Sequence, residues 1–199
     1  MDQVCLARKV AIVVFNQIEA LDFTGPFEVF LTSSGGGKDF QIYTVAPDEG
    51  PVTVLGGLSI NPAYTIHNCP PPDLIIVPGG PGARTEMNNS ALTDWIAQTA
   101  ATAELVLSVC TGALILAKTG LLEDLNITTH HRALEELKAA APASAVIIAD
   151  KRYVDNGKII LSAGVSAGID MSLYVVGRLL GADRAQLTAT LMEYNYNSI

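Results

Sequence analysis

The hydrophobic positions of this chain fall into two alternating patterns. Runs that are apolar almost without interruption occupy residues 10–15, 40–45, 74–77 and 105–109. A strand apolar on both faces belongs inside a sheet covered on both sides. Residues 146–148, 153–154 and 158–161 add shorter β-branched runs. Between them, apolar residues recur at helical spacing over 27–33, 91–102, 113–119, 133–140, 167–180 and 185–193. Strands alternating with helices predict βαβ units, hence an α/β fold with a mostly parallel sheet between two helical layers. Asn156-Gly157 between two β runs predicts a hairpin, and Gly56-Gly57 between 52–54 and 58–60 a weaker one. Thr24 and Pro26 read as start signals for the 27–33 helix, which leaves Asp22 in the turn before it. The Gly35-Gly-Gly37 and Pro70-Pro-Pro72 breaks are too short for interdomain linkers. With 199 residues and no compositional shift, a single domain over 1–199 is expected.

Charge narrows the partners. A formal net charge of -8 and the lack of any Lys/Arg run argue against nucleic acid or an anionic membrane surface, both of which need a basic footprint. A small-molecule substrate or a protein partner fits better. The longest apolar stretch, 105–117, is broken by Ser108, Thr111 and Gly112 and is too short to span a bilayer. The apolar run at 10–15 is shorter than a secretory core, and Asp2 stands where a positive region would precede it, so a cytoplasmic location is expected. Cys5, Cys69 and Cys110 are spaced for neither a disulfide framework nor a zinc site. A free thiol without a metal is the expectation.

In an open parallel sheet, ligands bind beyond the carboxyl ends of the strands. Three segments fall there. In Ser108-Val-Cys-Thr-Gly112 a buried strand stops at Cys110 and a helix-compatible run of small residues begins at once. This is the pattern of a nucleophile elbow with Cys as nucleophile and Ser in place of the first Gly. A thiol at a helix N-terminus meets the positive end of the dipole, so Cys110 is expected to be more acidic than a free cysteine. Val77-Pro-Gly-Gly-Pro-Gly82 follows another buried strand, and the Gly79 and Gly80 amides, with that of Thr111, are candidates for an oxyanion hole. Leu21-Asp-Phe-Thr-Gly-Pro26 lies past the first strand, so Asp22 can reach the same edge as Cys110. Each has a plainer reading: a buried cysteine as a small hydrophobe, a glycine cluster as a turn, Asp22 as a helix-start acid. His130 and His131 can be read as a Cys-His dyad, or as helix-cap or core residues. Cys5 and Cys69 lack the elbow context and read as structural or incidental.

Taken in order, Leu21-Asp-Phe-Thr-Gly-Pro26, Pro78-Gly-Gly80, Ser108-Val-Cys-Thr-Gly112, Thr128-Thr-His130, Gly164-Val-Ser-Ala-Gly-Ile-Asp170 and a final Glu193-Tyr194 resemble the ThiJ/PfpI superfamily, and most of all its isonitrile hydratase branch. The resemblance runs over nearly the whole chain. It implies a flavodoxin-like three-layer sandwich of the class I glutamine amidotransferase-like kind, usually a homodimer, working without metal or organic cofactor. It makes Cys110 the nucleophile, Asp22 its carboxylate partner and Thr111 a supporting elbow residue. The implied reaction is a lyase-type hydration of an isonitrile to an N-substituted formamide through a thioimidate on Cys110. In the hydratase pattern a tryptophan follows the histidine after Thr-Thr; here it is His131, a departure that bears on the substrate pocket. Two other readings share the elbow. One is a glyoxalase or deglycase acting on dicarbonyls. The other is a non-catalytic ligand or redox sensor, related to the sensing domains of AraC-type regulators. The end of the chain at Ile199 and the lack of a basic stretch weigh against a DNA-binding module.

Overall fold

Seven strands build one sheet whose middle is buried on both faces. The computed structural model describes residues 6–196, so Cys5 lies outside the described residues. In chain order the elements are β1 (Arg8–Val13), α1 (Ala20–Ser33), β2 (Phe40–Ala46), β3 (Val52–Thr53), β4 (Ser59–Ile60), β5 (Tyr64–Thr65), β6 (Leu74–Val77), α2 (Ala83–Glu86), α3 (Ser90–Thr102), β7 (Leu105–Val109), α4 (Gly112–Leu116), β8 (Asn126–Ile127), α5 (Leu134–Ala140), β9 (Val146–Ile147), β10 (Tyr153–Asp155), β11 (Ile159–Ser162), α6 (Ala167–Leu180) and α7 (Ala182–Leu191). The large sheet runs β10-β11-β7-β6-β1-β2-β5. Within this sheet, among the described residues, only the β10–β11 pair is antiparallel. β6 and β7 are buried at every position. Helices α1, α6 and α7 cover one face, and α2 to α5 the other. This is the mostly parallel sheet between two helical layers expected from the strand–helix alternation, in the flavodoxin-like form that the resemblance implies.

Each fully buried Ile or Leu of the strands contributes roughly 2 kcal/mol of hydrophobic stabilisation. That burial fixes the register, because a one-residue slip would carry every such side chain to the other face. β1 pairs with β2 on one side and β6 on the other, so the chain reverses its direction of winding there. Loops leaving β1, β6, β7 and β11 therefore gather at one edge, the usual place for a site in such a sheet.

Both expected hairpins form, β10–β11 around Gly157 (φ +85°) and β3–β4 around Gly56 and Gly57. The second one does structural service for the site edge. Gln17 N–H donates to Thr53 O at 2.8 Å and Leu55 N–H to Ile18 O at 2.9 Å, which fixes the loop between β1 and α1. The two-residue strands β5 and β8 and the single turn α2 are too short to leave a periodic signal. No helix among the described residues is long and apolar enough to cross a membrane.

One element differs from expectation in a way that matters. The helix predicted over 27–33 begins at Ala20, with Pro26 inside it. Thr24 does not cap a helix start; its hydroxyl donates back to Ala20 O at 2.8 Å. The proline costs α1 one hydrogen bond, but packing against α6 outweighs that. A methyl at Gly25 would already meet Ile169 at 3.0 Å, so the two helices approach closely. Asp22 accordingly sits in the first turn of α1 and not in a turn before it.

Candidate active site

Cys110 directly follows β7 with a left-handed backbone, φ +56°. For a residue with a Cβ that conformation costs about 1 kcal/mol or more and survives only where neighbours enforce it. Here they do. Cys110 N–H donates to Ala163 O at 3.1 Å, and the buried Thr129 hydroxyl donates to Cys110 O at 2.7 Å. Gly112 lies so close to the Val77 carbonyl that any Cβ would overlap it. The strand-to-helix elbow is thus real, and its thiol is nearly buried, at 6% exposure.

Asp22 is fully buried beside it. Its Oδ2 accepts from Gly79 N–H at 3.1 Å. Its Oδ1 is buried without a conventional partner, and the thiol of Cys110 is the group in reach of the carboxyl. Burial is the largest influence on Asp22 and pushes it up to about 7; the Cys110 thiol and the Gly79 amide pull it back, and Glu19 pushes it further up. Cys110 is pushed up to about 12, first by burial and then by the charge of Asp22, against the pull of the Thr111 and Val165 amides.

This corrects the expectation of an acidic thiol. α4 has only five residues, so its dipole is weak, and desolvation beside a second acid outweighs it. Above about pH 7 the site holds one pair sharing a single proton between sulfur and carboxyl.

The glycine loop plays a different part from the one expected. The Gly79 amide is spent on Asp22, and the Gly80 amide donates to Thr111 Oγ1 at 2.9 Å. Thr111 Oγ1 in turn donates to Gly80 O at 3.1 Å. Gly79 and Gly80 therefore position the acid and lock to the elbow; the amides against the sulfur are those of Thr111 and Val165. Gly79 is required by space, since a Cβ there would collide with the Thr111 backbone nitrogen.

His130 is a cap: its Nδ1 accepts from Arg132 N–H at 3.2 Å, and its ring stacks on His131 with centroids 4.2 Å apart. It also lies on Gly164, where any Cβ would overlap its ring. Among the described residues no hydrogen bond joins either histidine to Cys110, so the dyad reading is not met. Burial lowers His130, with His131 and Arg132 adding to the effect.

Three participants escaped the sequence reading. Thr129 stood only as a member of the Thr128-Thr-His130 motif, yet it anchors the elbow carbonyl. Val165, in the Gly164-Val-Ser motif, has φ +43° and brings its amide to the sulfur. Glu19 stands near both Asp22 and His130. Nothing local marks a backbone amide as functional, so only the fold could reveal Val165. Among the described residues no group of three His, Cys, Asp or Glu side chains is placed to hold a metal ion.

Comparison with known proteins bears on the family and the fold. Residues 8–178 match the model of the DJ-1/PfpI family. Isonitrile hydratase of Pseudomonas putida is 36% identical over 189 residues, covering 95% of this chain and 79% of that protein. The HTH-type transcriptional regulator GbdR of Pseudomonas aeruginosa is 28% identical over 159 residues, which are 80% of this chain but 42% of the regulator. Among solved structures, a ThiJ/PfpI family protein from Pseudomonas syringae superposes with a TM-score of 0.87 at 30% identity, covering all of this chain and 80% of that one. Drosophila melanogaster DJ-1beta, at 18% identity and a TM-score of 0.82 over 96% of this chain and 100% of that one, shares the fold. From the elbow, the glycine loop it locks and these matches together, the chain belongs to the DJ-1/PfpI (ThiJ/PfpI) family.

Proposed function

We propose that this protein is a cysteine-dependent hydratase that adds water to an isonitrile to give an N-substituted formamide. The observation that carries the reading is the buried Asp22–Cys110 pair with one carboxyl oxygen left without a conventional partner. An isonitrile carbon must receive a nucleophile and a proton, and a sulfur beside a protonated carboxyl supplies both. The similarity to isonitrile hydratase over 95% of the chain supports the same choice of substrate class.

The steps balance without any further reagent. The proton moves from sulfur to Asp22, the thiolate forms a C–S bond to the isonitrile carbon, and Asp22 delivers the proton to that carbon, giving a thioimidate. Asp22, now a carboxylate, takes a proton from water as its oxygen adds to the same carbon, and the nitrogen receives that proton. Collapse breaks the C–S bond, and the hydroxyl proton returns to the pair as the formamide leaves. The Thr111 and Val165 amides stabilise the sulfur anion at the start and the end. Burial suits a small, neutral substrate, since a charged one would add its own desolvation cost.

A sensing role is the second reading, favoured by the match to a transcriptional regulator across 80% of this chain. The test is a mass-spectrometric assay for formamide with wild type and Cys110→Ala, run beside methylglyoxal consumption. Formamide from wild type alone supports the hydratase. Methylglyoxal consumption without formamide replaces it with a glyoxalase or deglycase, and neither activity leaves sensing.

A further inference from the structure

Val165 is the strained residue of the site that has no hydrogen-bonded side chain to hold it. It is β-branched with φ +43°, a conformation that persists only where the surroundings over-determine it. The start of α6 holds the turn from one side, with Ala167 N–H donating to Gly164 O at 3.0 Å and Gly168 N–H to Val165 O at 3.2 Å; the other restraints on residues 163–166 converge on one residue outside the site. Ala163 N–H donates to Arg152 O at 2.8 Å, while Ala163 O accepts from Cys110 N–H. At the other end, Arg152 Nη2 donates to Ser166 Oγ at 3.2 Å. Its Nε makes an ion pair with Asp170 Oδ2 in the first turn of α6. Asp170 is held from behind by the Tyr194 hydroxyl, which donates to its Oδ1 at 2.9 Å. Arg152 therefore grips both ends of the turn, with its carbonyl on one end and its guanidinium on the other.

We propose that Arg152 is a positioning residue for the cysteine site: by gripping both ends of the 163–166 turn it holds Val165 in the left-handed conformation that turns its N–H onto the Cys110 sulfur. The fork of the guanidinium is what the task needs, because two separate acceptors, Ser166 and Asp170, must be held in fixed relation. A lysine offers one point of attachment to the same carboxylate. The inference rests on the reading of Cys110 as a reactive thiol, but not on the identity of the substrate.

Iodoacetamide alkylation of Cys110, followed by peptide mass mapping from pH 5.5 to 10, tests it without any turnover assay. In the singly ionised pair, reaction runs through the tautomer that places the charge on sulfur. Loss of one charge-assisted amide contact lowers that fraction about tenfold. Arg152→Ala should therefore lower the plateau rate about tenfold while the midpoint near 7, set by Asp22, stays in place. Arg152→Lys should fall between wild type and Arg152→Ala. Glycine adopts positive φ without strain, so in a Val165→Gly background the loss on removing Arg152 should shrink to about threefold or less. The proposal is overturned if Arg152→Ala leaves the rate unchanged, or if it speeds alkylation, as simple loosening of a buried thiol would. An undiminished tenfold loss in the Val165→Gly background overturns it as well. If wild-type Cys110 reacts no faster than Cys69, the cysteine-site reading itself fails, and the inference with it.

Discussion

Replacing Asp22 by asparagine should make the protein more stable and far less active, and the gain in stability should depend on pH in a way that identifies the carboxyl. The folded protein holds Asp22 at about 7, against an ordinary value of 3.8. Between those two values the unfolded chain has lost this proton and the folded one keeps it. Stability therefore falls as pH rises through this window, by about 1.4 kcal/mol per unit, and levels off above the folded value. Over the full window the wild type gives up about 4 kcal/mol that a neutral isostere does not. Asparagine retains an oxygen to accept from Gly79 N–H, so its own offset is constant with pH. The difference between Asp22→Asn and wild type should grow from pH 4.5 to 7 and then stay flat, reaching about 2–4 kcal/mol. Urea unfolding of both proteins at half-unit pH steps measures this directly. Turnover should fall at least about a hundredfold, the scale of a lost general acid–base group. A variant less stable than wild type at pH 7.5, or a difference that ignores pH, would refute the claim that a costly buried carboxyl is retained for chemistry.

Other outcomes follow from the same geometry. The rate constant for isonitrile attack should rise with unit slope to a plateau near pH 7, where the pair loses its first proton; a midpoint near 9 in the pH–rate profile would mean the thiol acts alone. Thr111→Val leaves the Gly80 amide buried without its acceptor, so chemical denaturation should show a loss of about 1–3 kcal/mol. Gly79→Ala places a methyl against the Thr111 backbone and 3.0 Å from Asp22 Oδ2; overpacking of this kind costs about 1–3 kcal/mol in a melt and should spoil catalysis with it.

Much of the molecule was legible from residue order alone. The runs at 74–77 and 105–109 became β6 and β7 with their expected bounds, because a strand buried on both faces must be apolar at every position. The elbow at Cys110 was legible because a strand that stops against Thr-Gly has few ways to continue, and Asp22 because it follows the first strand at the same sheet edge. The start of α1 was not, since Thr24 and Pro26 are local signals and the close contact of Gly25 with Ile169 is tertiary. The state of the thiol was misjudged for the same kind of reason. A helix terminus can be read from sequence, but desolvation and the nearness of a second acid depend on what the fold packs around the sulfur. Sequence by itself determined which side chains bring the chemistry, through pattern and position along the chain. Tertiary structure alone decided that Gly79 and Gly80 hold Asp22 and Thr111, that Val165 turns its amide to the sulfur, and that one proton serves two buried acids, because those properties belong to contacts between segments far apart in the chain.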